Sequence, residues 1–234
     1  MDVAPLQDLD PFDIFDAEAA RLEAYFTGLS GREWDRPSRC AGWSVRDVLA
    51  HLAGEELYNQ ACLDDDLPGL FARLEREGVT GLAAFNDWCV AVRRDRPVLQ
   101  VLREWHTKNA DTRRRMRERG ADATLPTMAG PYPVGLQTFH YCSEYATHAD
   151  DVGAPVRAEE EPARTDWRCR VGLFALSELD GPVRVEAAGD RYLVRLGEQR
   201  AELSPAEFVD ATTARLPAHH PLPSPLRTAL RCLA

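Results

Sequence analysis

The sequence predicts a mainly α protein, a four-helix bundle over residues 1–157 followed by a small C-terminal α/β domain over residues 158–234. Two observations carry this. Upstream of residue 155, apolar residues recur at helical spacing through long segments punctuated by Gly and Pro. Downstream, the spacing changes to strand-like alternation between tight turns. A chain of 234 residues is long enough to bury roughly 70–75% of its unfolded surface, so neither disulfides nor a structural metal are needed to hold it together.

Helix one is expected from Pro11 to about Leu29, carried by Phe12, Phe15, Ala19, Leu22 and Phe26 and closed by Gly28 and Gly31. A loop from Arg32 to Gly42 follows. Ser44 then caps helix two, with Asp47 three residues later completing a capping box, and Trp43 and Val48 are spaced for a hydrophobic staple. That helix runs to about Cys62 and stops at the acidic, Pro- and Gly-bearing stretch Asp64–Gly69. Shorter helices over Leu70–Glu77 and Leu82–Arg94 lead to a long one over Pro97–Arg119, ended by Gly120. Pro126, Gly130, Pro131 and Pro133 read as a loop. The last bundle helix covers Val134–Val152 and ends at Gly153 and Pro155. Four main helices with one long connection describe a bundle. Beyond it come a helix over Thr165–Leu179, two or three antiparallel strands within Val183–Leu203 with a turn at Gly189-Asp190, and a helix opened by Ser204 and Pro205. His219 and His220 fall among prolines and read as loop.

A net charge of −10 argues against nucleic acid or an anionic membrane as partner, since both reward a basic field. No apolar run reaches the roughly 18 residues of a membrane span, and the N-terminus lacks the basic and apolar regions of a signal peptide. The six cysteines are scattered without a Cys-x-x-Cys, which predicts reduced thiols in a cytoplasmic protein. No phosphate-binding glycine loop, Gly-x-Ser-x-Gly elbow or His-Glu-x-x-His is present.

Two segments carry chemistry. Glu144 and His148 lie four apart on a helix, so they share a face, and His51 lies two turns into helix two. Alone, each is an ordinary helical residue. Together they form a His, Glu, His set that leaves an open position on a zinc-like ion, and a metal offsets the cost of burying a carboxylate. His140 extends the run but sits roughly 80° around the helix from His148, which places it beside the pocket. Glu55, one turn after His51, and Asp151, three after His148, are spaced to meet ligand imidazoles or substrate. Both also read as solvated helix charges.

Trp34 and the run Cys40-Ala41-Gly42-Trp43-Ser44-Val45-Arg46-Asp47-Val48-Leu49-Ala50-His51-Leu52-Ala53 resemble the entry to helix two in the mycothiol-dependent maleylpyruvate isomerase family, part of the DinB-like superfamily. Glu144-x-x-x-His148-x-x-Asp151 resembles its second signature, and the resemblance spans about residues 10–155. It implies a DinB-like four-helix bundle with a divalent metal, most commonly Zn2+, on His51, Glu144 and His148. It also implies a thiol cofactor such as mycothiol. Ala201–Arg215 looks like the small α/β domain of the isomerase, and Arg215 occupies the place of a substrate-binding arginine, although Ala214 replaces the usual preceding glycine. A helix-end cation serving the dipole is the other reading of Arg215.

The resemblance thus implies an enzyme acting on a small electrophile through a metal-held thiolate, and the chain is expected to be a monomer or homodimer. S-transfer is favoured over cis/trans isomerisation because the pocket-side residues are not tied to maleylpyruvate. Two other readings keep the metal: a hydrolase using bound water with Glu55 or Asp151 as base, and a non-catalytic, metal-stabilised binding protein.

Overall fold

The computed structural model describes residues 1–233 and divides them into two compact units. Pro11–Pro155 form one; Met1–Asp10 and the described residues from Val156 onward form the other. The first ten residues therefore join the C-terminal unit, where the Arg170 guanidinium donates to Pro5 O at 2.6 Å and Asp2 N donates to Ser177 Oγ at 2.7 Å.

In the larger unit, α1 (Pro11–Gly28), α2 (Val45–Leu63), α5 (Val98–Arg119) and α6 (Val134–Val152) form the bundle. α2 packs on α5 and α1 on α6. α1 buries Phe15, Leu22 and Phe26 along one stripe, and the ring of Phe26 stacks on Trp34 at 5.7 Å. α2 starts where its capping box predicts, with Asp47 Oδ2 accepting from Ser44 N at 3.0 Å. α6 stops at Gly153, whose φ of 75° supplies the left-handed turn that closes the helix. The two helices α3 (Leu67–Arg76) and α4 (Gly81–Ala91) pack against α2 as a side layer. α3 begins earlier than its apolar pattern indicates because Asp66 caps it, accepting from Gly69 N at 3.1 Å, and Pro68 is tolerated in the first turn.

The segment read as a loop before α6 is instead a β-hairpin, β1 (Thr124–Thr127) with β2 (Gly130–Pro133). Its three prolines obscure the strands in sequence. They are accepted because a two-stranded ribbon has only edges, where a missing N–H breaks no interior ladder. The hairpin tip is tied to α2, Met128 N donating to Tyr58 Oη at 3.1 Å.

The C-terminal unit consists of α7 (Glu161–Leu179), the antiparallel sheet β3 (Arg184–Ala188), β4 (Arg191–Leu196) and β5 (Gln199–Leu203), then α8 (Pro205–Thr212) and α9 (Ser224–Leu230). α7 starts at Glu161, ahead of the expected Thr165, with Pro162 in its first turn. α8 is opened by Ser204 with a second capping box to Glu207. Val194, Leu203, Phe208, Leu226 and Leu230 make its core, with Tyr192 stacked on Phe208 at 4.4 Å. α9 is too short and too flanked by proline to stand out in the sequence. No described helix is long and apolar enough to cross a membrane.

Candidate metal centre

α2 and α6 bring three donor atoms to one point. Oε1 of Glu144 lies 3.1 Å from Nε2 of His51 and 2.9 Å from Nε2 of His148. Both imidazoles are buried, at 2% and 5% exposure, while the Glu144 side chain keeps 30% of its surface. The rings of His51 and His148 meet edge to face at 4.9 Å, and the Trp43 ring packs against His51 at 5.0 Å. Glu55 Oε1 lies 3.4 Å from His51 Nε2 on the same side.

The registers of these helices are held below the site by a buried network. The carboxylate of Glu56, fully buried, accepts from Asn109 Nδ2 at 2.9 Å, Thr112 Oγ1 at 2.6 Å and Tyr145 Oη at 2.8 Å. Trp105 Nε1 donates to Tyr145 Oη at 3.0 Å. Since Glu56 and Tyr145 are the neighbours of Glu55 and Glu144, fixing one pair of side chains fixes the facing of the other.

His148 uses both ring nitrogens. Its Nδ1 is 3.1 Å from Asp151 Oδ2, and the Asp151 side chain is fully buried. A carboxylate at Nδ1 keeps a proton on that nitrogen, while Nε2 donates to Glu144; giving up that second proton would free its lone pair for a cation. Cys40, which the sequence did not single out, completes this edge: its thiol donates to Asp151 Oδ2 at 3.1 Å and stands 3.8 Å from His148 Nδ1. The loop holding Cys40 is anchored by Arg39 N donating to Asp151 O at 2.9 Å and by Trp43 N donating to Cys40 O at 3.0 Å. Cys40, His148 and Asp151 thus form a second group of potential ligand atoms. Its carboxylate oxygen already serves both the thiol and Nδ1, whereas in the His51, Glu144, His148 group Glu144 lines a cavity.

The electrostatics favour positive charge at the three donors. Burial alone would raise the Glu144 carboxyl, but the His148 charge and the hydrogen bonds of both histidines outweigh it and hold it well below the ordinary carboxylate range. Burial would lower His148; the Glu144 charge and the bonds at Asp151 and Cys40 hold it well above the usual imidazole range. Burial, reinforced by the Glu144 charge, pushes Glu55 well above its usual value. Two imidazoles and a carboxylate converging this closely fit a divalent cation, which would take over the role these protons play.

A cavity of about 340 Å³ opens beside Glu55 and Glu144. His140 lines it and is not among the converging donors, its Nε2 lying 3.5 Å from Tyr132 Oη. Arg215 belongs to the other unit, after α8, where its guanidinium donates to Thr213 O at 3.0 Å. The preceding Ala214 adopts φ 58°, a left-handed conformation that glycine takes more readily.

No curated protein and no solved structure matches the chain. A family model described as the mycothiol maleylpyruvate isomerase N-terminal domain matches residues 15–153, a segment that contains His51, Glu55, His140, Glu144, His148 and Asp151. With well over half of its length matched, and with the bundle that carries the converging donors inside the match, the chain belongs to the mycothiol maleylpyruvate isomerase N-terminal domain family.

Proposed function

We propose that this chain is a divalent-metal enzyme, with zinc as the ion, that uses a low-molecular-weight thiol of the mycothiol kind to carry out S-transfer or thiol-assisted cis/trans isomerisation on a small electrophile. The convergence of His51 Nε2 and His148 Nε2 on Oε1 of Glu144, which lines a cavity, carries this reading. These three side chains would hold the ion, and the ion supplies a thiolate near neutral pH without a protein cysteine. Asp151 fixes the His148 tautomer from the ring edge away from Glu144, which leaves it poorly placed as a base toward the cavity. Glu55 lines the cavity with its Oε1 3.4 Å from His51 Nε2, a position from which it takes the thiol proton and returns it to the product. In S-transfer the sulfur bonds to the activated carbon and this proton completes the addition; in isomerisation the same bond breaks again after rotation.

Elemental analysis of protein purified without an affinity tag tests the metal, with one equivalent per chain expected and its loss in Glu144→Ala and His148→Ala. Metal-loaded protein should then consume an electrophile only when the thiol is added. Thiol-independent hydrolysis, or stoichiometric metal retained by both variants, would overturn the reading.

A further inference from the structure

The cavity beside Glu144 is apolar in its walls and acidic in its charges. Leu70, Leu74 and Phe85 come from α3 and α4, Tyr58 from α2 and Tyr141 from α6. Burial pushes the Tyr58 phenol up to about 12, consistent with an environment that resists charge. Three of the exposed large apolar side chains, Phe71 (41%), Leu82 (56%) and Met128 (61%), gather among the lining residues. Exposed apolar surface collected at one opening marks a place where something apolar binds.

The acidic lining residues are Glu55, Glu75 and Glu144; among the described residues no lysine or arginine lines the cavity, and His140 is the one ionisable base there. A site for a dicarboxylate is ordinarily supplied with guanidinium groups, which meet carboxylates in a bidentate fork. Here no guanidinium or ammonium group of the described residues lines the cavity. An anionic substrate entering this cavity finds no cationic lysine or arginine side chain to pair with and meets the exposed Glu75 carboxylate.

We infer that this cavity takes an uncharged, apolar aryl or alkyl electrophile and rejects small dicarboxylates. That the molecule is an electrophile rests on the thiol-enzyme reading; that it is uncharged and apolar rests on the lining alone. The volume fits the lower end of small-molecule sites, enough for a ring system of modest size.

Fluorescence titration of the 234-residue chain with N-phenylnaphthylamine and with anilinonaphthalene sulfonate compares one aromatic body without and with an anionic group. The neutral dye should bind saturably and at least about tenfold more tightly than the sulfonate, in metal-loaded and metal-stripped protein alike. Leu74→Gln should weaken the neutral dye about tenfold, and Phe71→Ser, at an exposed position that the fold does not depend on, several-fold. Glu75→Arg should tighten the sulfonate several-fold and leave the neutral dye within about twofold. Equal affinity for the two dyes, or neutral-dye binding that Phe71→Ser leaves unchanged, overturns the inference. Dye binding needs neither ion nor thiol, so a protein without metal or turnover would sink the proposed enzyme activity and leave this comparison standing.

Discussion

Oδ2 of Asp151 is shared: His148 Nδ1 lies 3.1 Å from it and the Cys40 thiol donates to it at 3.1 Å. One carboxylate thereby orients an imidazole whose other nitrogen faces Glu144 and His51. Asp151→Asn should lower metal affinity about 10–100-fold with the helical signal intact, as losing an outer hydrogen-bond partner of a ligating histidine does. Cys40→Ala should change it by less than about threefold, because Asp151 still holds Nδ1. Competition with a chromophoric chelator measures both. Equal loss in the two variants would make Cys40 itself a ligand and point to the Cys40, His148, Asp151 group instead.

Removing the ion should cost stability. An ion held at a hundred times its dissociation constant adds about 2.7 kcal/mol. At roughly 2–4 °C per kcal/mol for a chain of this size, chelation should lower Tm by about 5–10 °C. The drop should vanish in Glu144→Ala, which has no ion to lose. A chelator effect of the same size in that variant would place the stabilising metal elsewhere.

The helical part of this centre was legible because its signals are local. Helix periodicity, the Ser44 and Asp47 capping box and the Gly153 stop set the ends of α2 and α6, and four-residue spacing put Glu144 and His148 on one face. Cys40 was not legible, since its approach to Asp151 depends on a loop pinned by Arg39 N across 112 residues of sequence. The cavity was hidden for the same reason. Its walls come from α3 and α4, whose apolar residues read in sequence as ordinary core, and from a hairpin masked by Pro126, Pro131 and Pro133. Arg215 was carried by resemblance alone, and the local geometry adds only that Ala214 keeps the left-handed turn a glycine would favour.

Acid should destabilise the bundle through Glu104. Burial would raise its carboxyl, but hydrogen bonds from Arg93, Lys108 and Arg96 outweigh that and bring it to about 2. A folded value depressed below the unfolded one gives stability that is fully present above about pH 4.5 and lost as the pH falls toward 2. With only 14% of this side chain exposed, the contribution at neutral pH is at most about 3 kcal/mol. Glu104→Gln should lower stability at pH 7 by up to that amount and flatten the stability profile between pH 4.5 and 2. Denaturant titrations of both proteins across that range read it, and parallel profiles would show that the cluster around Arg93 is not the acid-sensitive element.

The close crossing of α2 and α4 rests on Gly54, the residue before Glu55. A Cβ at this position would stand 2.3 Å from Cys89 Cβ and 2.4 Å from its Sγ, with Arg93 Nη1 at 3.0 Å. Arg93 cannot retreat freely, since it donates to Cys89 O at 2.9 Å and to Glu104 at 2.7 Å. The helices must therefore separate, and Gly54→Ala should cost about 1–3 kcal/mol or more even though alanine is the better helix former. Separation moves α4, which supplies Phe85 to the cavity wall, so neutral-dye binding should weaken along with stability. Cys89→Gly removes both nearest atoms, and Gly54→Ala with Cys89→Gly should recover part of the loss in a double-mutant cycle. Strict additivity of the two substitutions would mean that α2 and α4 do not meet at Gly54 and Cys89 as closely as described.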